Sequence, residues 1–402
     1  MPVSAARPIR VRLFVAALGA LFAFAFTAPP AGAVSLGDYI VVLRPGTAAP
    51  AAVAAEQVGR LGGIVGFVYE HALTGYSARL PVGAIAALAA DPRVALIERD
   101  GVVRADATQT GATWGLDRID QRARPVDGSF TYTSTGSGVK AYIIDTGIRF
   151  AHNEFGGRAI RGTDTVTAGG LGGLLGGGGG STNGEDCNGH GTHVSGTVGG
   201  ATYGVAKQVT LVAVRVLGCD GSGATSGVIA GVDWVTGNHQ AGQPAVANMS
   251  LGGGASTALD TAVQNSINDG VSYGLAAGNG NALGMAENAC NTSPARVAAG
   301  MTIGATDAND AKASFSNFGN CVDFFAPGVG ITSAWYTNNT ATNSISGTSM
   351  ATPHVVGVAA QFLAGSPAST PAQVRDGLYN LTTKGIVTSS STVNNHLLFT
   401  NL

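Results

Sequence analysis

Eight residues near the C-terminal end, Gly347-Thr348-Ser349-Met350-Ala351-Thr352-Pro353-His354, constrain this chain more than any other stretch. Gly347 permits a tight turn with no Cβ in the way. Small residues flank Ser349 and leave its hydroxyl open. The apolar residues Val355, Val356, Val358, Ala359, Ala360, Phe362 and Leu363 predict a buried helix directly after it. A serine at the start of such a helix has unpaired backbone N–H groups beside it, which suit a developing oxyanion. Serine is a weak nucleophile and needs a base from elsewhere in the chain. Taken alone, Gly-Thr-Ser is equally an ordinary N-cap.

Three other segments offer the partners. The β-rich run 139–144 ends in Asp145-Thr146-Gly147, which puts a carboxylate at the C-terminal end of a strand. Asn188-Gly189-His190-Gly191-Thr192-His193 precedes a small-residue segment that predicts a close-packed helix. Asn279 follows the apolar run 274–277 and Gly278. The ends of parallel strands are where open α/β sheets assemble their sites. Two histidines, His190 and His193, compete for the role of base on one helix face, and the residues alone leave that open. Zinc would require a third ligand and the glutamate of H-E-x-x-H, which is absent.

Residues 1–33 read as a signal peptide and imply secretion. Arg7, Arg10 and Arg12 form the positive region, 13–26 the apolar one, and Ala31-Gly32-Ala33 the cleavage site. The apolar run is too short for a membrane anchor, and every later one is broken by glycine or polar residues. The net charge is −2, and acidic residues outnumber basic ones from Ala107 onward, which argues against a nucleic-acid footprint. All four cysteines, Cys187, Cys219, Cys290 and Cys321, follow that point. An even count in an exported chain favours disulfides, and no C-x-x-C spacing suggests a metal. Three connectivities are open.

Residues 34–106 form a separate small domain in this reading. Strands are expected at 38–43, 64–69, 75–80 and 94–98, with helices at 50–61 and 82–90. That β-α-β-β-α-β order predicts a ferredoxin-like α+β unit. The segment 105–111 lacks periodicity and reads as an exposed linker suited to cutting. Strand and helix patterns alternate through 107–402, which predicts an α/β domain with a largely parallel central sheet flanked by helices. The glycine-dominated insert 169–181 reads as a surface loop.

The four motifs, with Ser250-Leu251-Gly252-Gly253, Phe315-Ser316-Asn317-Phe318-Gly319 and Ala326-Pro327-Gly328, extend from about Trp114 to the C-terminus. Over that span the chain resembles the subtilisin-like serine proteases, closest to the proteinase K and aqualysin branch. The resemblance implies a subtilisin-like peptidase domain with Asp145, His190 and Ser349 as the triad, His190 as base, and His193 left to packing. It implies Asn279 and the Ser349 N–H as oxyanion donors. Substrate would add as a strand between Ser250, Leu251, Gly252 and Gly221, Ser222, Gly223, with Ala276, Ala277 and Gly278 walling the pocket before the scissile bond. These walls carry no acid, so an apolar or aromatic preference is expected. The same resemblance implies disulfides Cys187–Cys219 and Cys290–Cys321. It also implies structural calcium, held by Asp323 with the carbonyls of Ala298 and Gly300, and at a second site by Asp117, Asp120, Gln121, Asp127 and Ser129.

The 34–106 domain resembles the inhibitory propeptide of such enzymes. The expectation is therefore a secreted, monomeric, self-processing endopeptidase acting on proteins and peptides, its propeptide serving as inhibitor and folding aid. The alternative class is a catalytically silent member kept for binding. Such a chain should have lost Ser349, His190, Asp145 or Asn279, and all four are present.

Overall fold

The computed structural model describes residues 35–100, 107–166, 182–281 and 283–402. The expected signal peptide, the stretch just before Ala107 and the 169–181 insert lie outside the described residues. The chain forms two compact units, Met1–Val103 and Arg104–Leu402.

The first unit contains β1 (Leu36–Leu43), α1 (Pro50–Arg60), β2 (Ile64–Tyr69), β3 (Gly75–Pro81), α2 (Ile85–Ala89) and β4 (Val94–Arg99). The strands form an antiparallel sheet in the order β2-β3-β1-β4, the split βαβ arrangement expected of the pattern. Alternation along β1 sends Tyr39, Val41 and Leu43 inward, where they meet Val53 and Val58 of α1 and Leu88 of α2. The expected 82–90 helix begins as a 3-10 turn at Val82–Ala84 before α2.

The second unit opens with β5 (Ala107–Thr110), α3 (Trp114–Ile119) and β6 (Ser129–Tyr132). Here the linker expectation needs correcting, because β5 pairs along its whole length with β6. Four residues show no periodicity, and their partners lie beyond α3, with Ala107 opposite Tyr132 and Thr110 opposite Ser129.

Two short pairs, β11 (Gly253–Gly254) with β13 (Thr292–Ser293) and β16 (Ile331–Ala334) with β17 (Thr342–Ile345), lie outside the main sheet. Among the described residues nine strands build that sheet. In chain order they are β7 (Lys140–Asp145), β8 (Ala159–Asp164), β9 (Thr210–Arg215), β10 (Ala245–Met249), β12 (Ser272–Ala276), β14 (Met301–Thr306), β15 (Phe324–Pro327), β18 (Thr383–Lys384) and β19 (His396–Leu397). They lie in the order β18-β19-β15-β14-β12-β10-β7-β9-β8, parallel except for β18. Every residue of β10, β12 and β14 is buried, as both-face coverage of a parallel sheet requires.

Successive residues of β7 serve opposite faces. Ile143 packs with Val194, Val198, Val355 and Val356 from α4 (His190–Gly199) and α7 (Thr348–Gly365). Tyr142 and Ile144 pack with Val228, Val232, Val263 and Ile267 from α5 (Thr225–Asn238) and α6 (Thr257–Asp269). Each fully buried valine contributes on the order of 1.5–3 kcal/mol. That burial, not helix propensity, holds α4, where glycines stand at 191, 196 and 199 and an interior glycine costs about 1 kcal/mol against alanine. All three are needed for contact: a Cβ on Gly191 would lie 2.1 Å from the Gly147 oxygen, one on Gly196 2.3 Å from Ser333 Oγ, and one on Gly199 2.5 Å from Val209 Cγ1. A final helix, α8 (Pro371–Leu381), starts with a capping box between Thr370 and Gln373. Among the described residues no helix is long and apolar enough to cross a membrane.

Candidate active site

Asp145 ends β7 and is completely buried. Its two oxygens lie 2.8 and 3.0 Å from His190 Nδ1, and Oδ1 also accepts the Thr146 N–H at 2.7 Å. Because Nδ1 faces only acceptor atoms it carries the ring proton, which leaves Nε2 as the basic nitrogen of neutral imidazole. Burial alone would lower the His190 pKa. The charge and hydrogen bond of Asp145, with the charge of Asp186, outweigh it and hold the value above 6.5. The ring remains 25% exposed. It is carried into place by Gly189, whose φ of 112° suits glycine and whose Cβ, if present, would strike the Trp335 ring at 2.5 Å.

His193 sits differently. It is fully buried, its Nε2 lies 2.9 Å from the Ile331 oxygen, and burial pushes its pKa down to about 4. Of the two competing histidines, only His190 meets a carboxylate and reaches the surface. His152 and His354 are buried against backbone oxygens of Ala341 and Met350, and His239 bridges Asp269 and the Gln243 carbonyl.

Asp186 was not among the residues singled out from the sequence. It is 5% exposed and accepts five hydrogen bonds: from the N–H groups of Asn188, Gly189 and Thr192, and from the hydroxyls of Thr146 and Thr192. The Thr146 hydroxyl in turn accepts the Gly191 N–H at 2.8 Å. The only local signal was an acid inside a Gly/Asn-rich loop next to a cysteine.

Ser349 is the second residue of α7, half-exposed between buried Thr348 and Met350. Its hydroxyl donates to the Ser250 carbonyl at 3.0 Å. The Ser250 hydroxyl donates to the Ser349 carbonyl at 2.8 Å and accepts from Asn248 Nδ2 at 2.9 Å. Asn279 follows β12, and its Oδ1 accepts both the N–H and the hydroxyl of Thr348, at 2.8 and 2.9 Å. Two donors at one end of an amide fix that end as oxygen. Nδ2 therefore lies on the other side, 3.3 Å from where a Gly347 Cβ would stand. Asn317 steadies this loop, accepting the N–H groups of Gly280 and Glu287 and donating to the Ala277 carbonyl.

His190 opens onto a cleft of about 420 Å³ lined by all six expected strand-edge residues, Gly221, Ser222, Gly223, Ser250, Leu251 and Gly252. Ala276, Ala277 and Gly278 do not line it. The two alanines are buried, Ala277 in a cluster with Ala289, Ala295, Val322 and Phe325, and Gly278 donates its N–H to the Thr348 hydroxyl. Cys187 is bonded to Cys219 and Cys290 to Cys321. The first bridge, with a bond from Asn188 Nδ2 to the Cys219 carbonyl, ties the His190 loop to the Gly221 wall.

The candidate calcium ligands differ in fitness. Asp120 Oδ1 is buried without a hydrogen-bond partner, and burial, with the charges of Asp117 and Asp127, pushes this carboxyl up to about 6. That fits a hard cation with oxygen ligands. Asp117 is occupied by N–H donors from Gln121, Asp127 and Gly128, and Asp127 by Ser129. Asp323 is also pushed up to about 6 by burial. In that set the Ala298 carbonyl accepts one bond from Arg375, and Asp323 Oδ2 accepts the Thr302 N–H. Among the described residues no three acidic, histidine or cysteine side chains converge as a metal cluster.

A model of the subtilase family matches residues 136–397. The chain is 55% identical over 359 residues to the extracellular serine proteinase of Thermus sp. (strain Rt41A), covering 89% of this chain and 83% of that one. It is 51% identical to alkaline serine exoprotease A of Vibrio alginolyticus over 86% of its own length and 62% of that relative's. A solved cold-adapted subtilisin-like serine proteinase superposes with a TM-score of 0.66 at 52% identity, over 73% of this chain and 100% of that one.

Proposed function

The chain belongs to the subtilase family of serine proteinases, and on that premise we propose that it is a secreted endopeptidase working through Asp145, His190 and Ser349. The observation that carries this reading is the pairing of buried Asp145 with His190 at the mouth of the cleft. A substrate strand donates its main-chain N–H to the Ser250 carbonyl, which Ser349 Oγ now occupies. Binding thereby turns the hydroxyl toward His190. Ser349 Oγ attacks the scissile carbonyl carbon while His190 Nε2 takes its proton, and Asp145 stabilises the imidazolium. The oxyanion accepts from the Ser349 N–H and Asn279 Nδ2. His190 then protonates the leaving amine, and water enters by the same route to release the acyl group.

Specificity is broad with an apolar or aromatic preference, since Leu217, Val228, Leu251 and Leu259 line the cleft and no carboxylate among the described residues does. Residues 1–33 direct export, and 34–106 form a propeptide that inhibits the monomeric enzyme until it is cut away near the 106–107 bond. A separate hydrophobic core in the first unit supports that division. Calcium binds at Asp120 with Asp117, Gln121, Asp127 and Ser129 nearby, and a second ion at Asp323. These ions act on stability and take no part in the chemistry.

A fluorophosphonate probe tests the nucleophile. It should label Ser349 alone, and Ser349→Ala should lose both label and hydrolysis. Labelling elsewhere, or hydrolysis by the variant within about tenfold of wild type, overturns the reading.

A further inference from the structure

Building on that triad, we infer that Asp186 is a positioning residue for His190, holding the imidazole against Asp145 through the loop and the first turn of α4. The contacts bracket the histidine on both sides. Asp186 accepts the N–H groups of Asn188 and Gly189 before it, and the N–H and hydroxyl of Thr192 after it. The fifth bond comes from Thr146, the residue that follows Asp145, and the same hydroxyl accepts the N–H of Gly191. One buried carboxylate thus joins the segment carrying the acid to the segment carrying the base.

Its acceptor-only character is what the site uses. Three donors converge on Oδ1 and two on Oδ2. An amide at this position would set an NH2 against at least one backbone N–H, that of Thr192 or those of Asn188 and Gly189. Asp186 also faces His190 as a charge. The titratable groups acting on that ring among the described residues are Asp145 from β7, Asp186 from the loop, and His193 from α4, which burial keeps neutral near pH 7. Misplacement of a catalytic group by about 1 Å costs on the order of 10²-fold in rate, so loosening this loop should be visible in kcat.

The test uses Asp186→Asn, Thr146→Val and Thr146→Ser in the full chain, each also with Ser349→Ala to prevent autolysis. Asp186→Asn should lower kcat roughly 10–100-fold with KM within about threefold, and move the acid limb of the rate profile to lower pH. Carbon-13 NMR of the histidine rings should show the His190 midpoint moving the same way. That readout needs no hydrolysis, so it decides the inference even if wild type proves inactive and the proposed function falls. Thr146→Val keeps the charge and breaks the link. It should lower kcat with the midpoint in place, and Thr146→Ser should restore most of the rate. If Asp186→Asn does not fold, the Thr146 pair carries the test. Unchanged kcat in Thr146→Val, an unmoved midpoint in Asp186→Asn, or KM rising in proportion to the lost rate overturns the inference.

Discussion

Ser250 and Ser349, separated by 99 positions, exchange hydrogen bonds in both directions, each hydroxyl donating to the other's carbonyl at 2.8 and 3.0 Å. The reason lies one helical turn on. Pro353 stands four residues after Ser349 inside α7 and has no N–H to give the Ser349 carbonyl. The Ser250 hydroxyl supplies the missing donor.

Replacing Ser250 by alanine should therefore orphan that carbonyl beside the nucleophile. A destabilisation of about 1–3 kcal/mol is expected, with a fall in kcat. Urea unfolding of the variant in the Ser349→Ala background measures the first and peptide hydrolysis the second. Equal stability of the two proteins would refute the account.

His190 must be neutral to accept a proton from Ser349. Its pKa is held above 6.5 against burial by Asp145 and Asp186, so kcat/KM should rise with pH through a midpoint above 6.5. The stability effect has the opposite sign. The charged pair supports the fold fully below 6.5 and loses that support as pH rises through the folded value. A profile falling between pH 6 and 8 would exclude His190 as base.

Asn279→Asp keeps the acceptor for Thr348 but turns the oxyanion donor into an acceptor. Loss of one such donor costs about 10²–10³ in kcat, and KM should change little. Stopped-flow or steady-state hydrolysis of a chromogenic peptide would show it, and a loss confined to KM would point away from an oxyanion role.

Calcium should raise the melting temperature of the Ser349→Ala protein, and by more at pH 8 than at pH 5. Asp120 and Asp323 are both pushed up to about 6 by burial. Without metal their ionisation removes stability as pH rises through that value, and a bound cation offsets it. Asp120→Asn should shrink the calcium shift. Identical melting in calcium and in chelator at pH 8 would remove the claim.

Purified Ser349→Ala precursor should remain full length, whereas wild type should yield a new N-terminus between residues 104 and 111. Intramolecular cutting is favoured by the effective concentration that a linking chain provides. Maturation of the alanine protein at the wild-type rate, with no other protease present, would rule it out.

Features set by neighbours along the chain were legible in the sequence, and those set across it were not. β2 spans the expected 64–69, since the run is flanked by Gly62-Gly63 and by the turn ahead of Gly75. Asp145 ends an apolar strand, Asn279 follows one, and His190 and Ser349 lie in the first turn of a helix, so local pattern was enough to single them out, while the choice of His190 over His193 came from the family resemblance. β5 needed a partner beyond α3, and the link from Asp186 to Thr146 spans 40 residues. The alanines after Leu275 read as pocket walls because nothing local announces that Ala277 will be buried with Ala289, Ala295, Val322 and Phe325 from further along the chain.

Asp145, His190, Asn279 and Ser349 stand at or near the ends of elements drawn from Lys140 to Gly365 of the second unit. No contiguous piece of the chain holds even three of them in place without the strands between. Such long-range pairing makes folding slow. It also gives the nascent chain a safeguard: until β12 is laid down and α7 has closed over it, there is a serine but no machinery to use it. On the proposed triad a half-folded molecule holds no assembled site, so hydrolytic power waits for the finished tertiary structure.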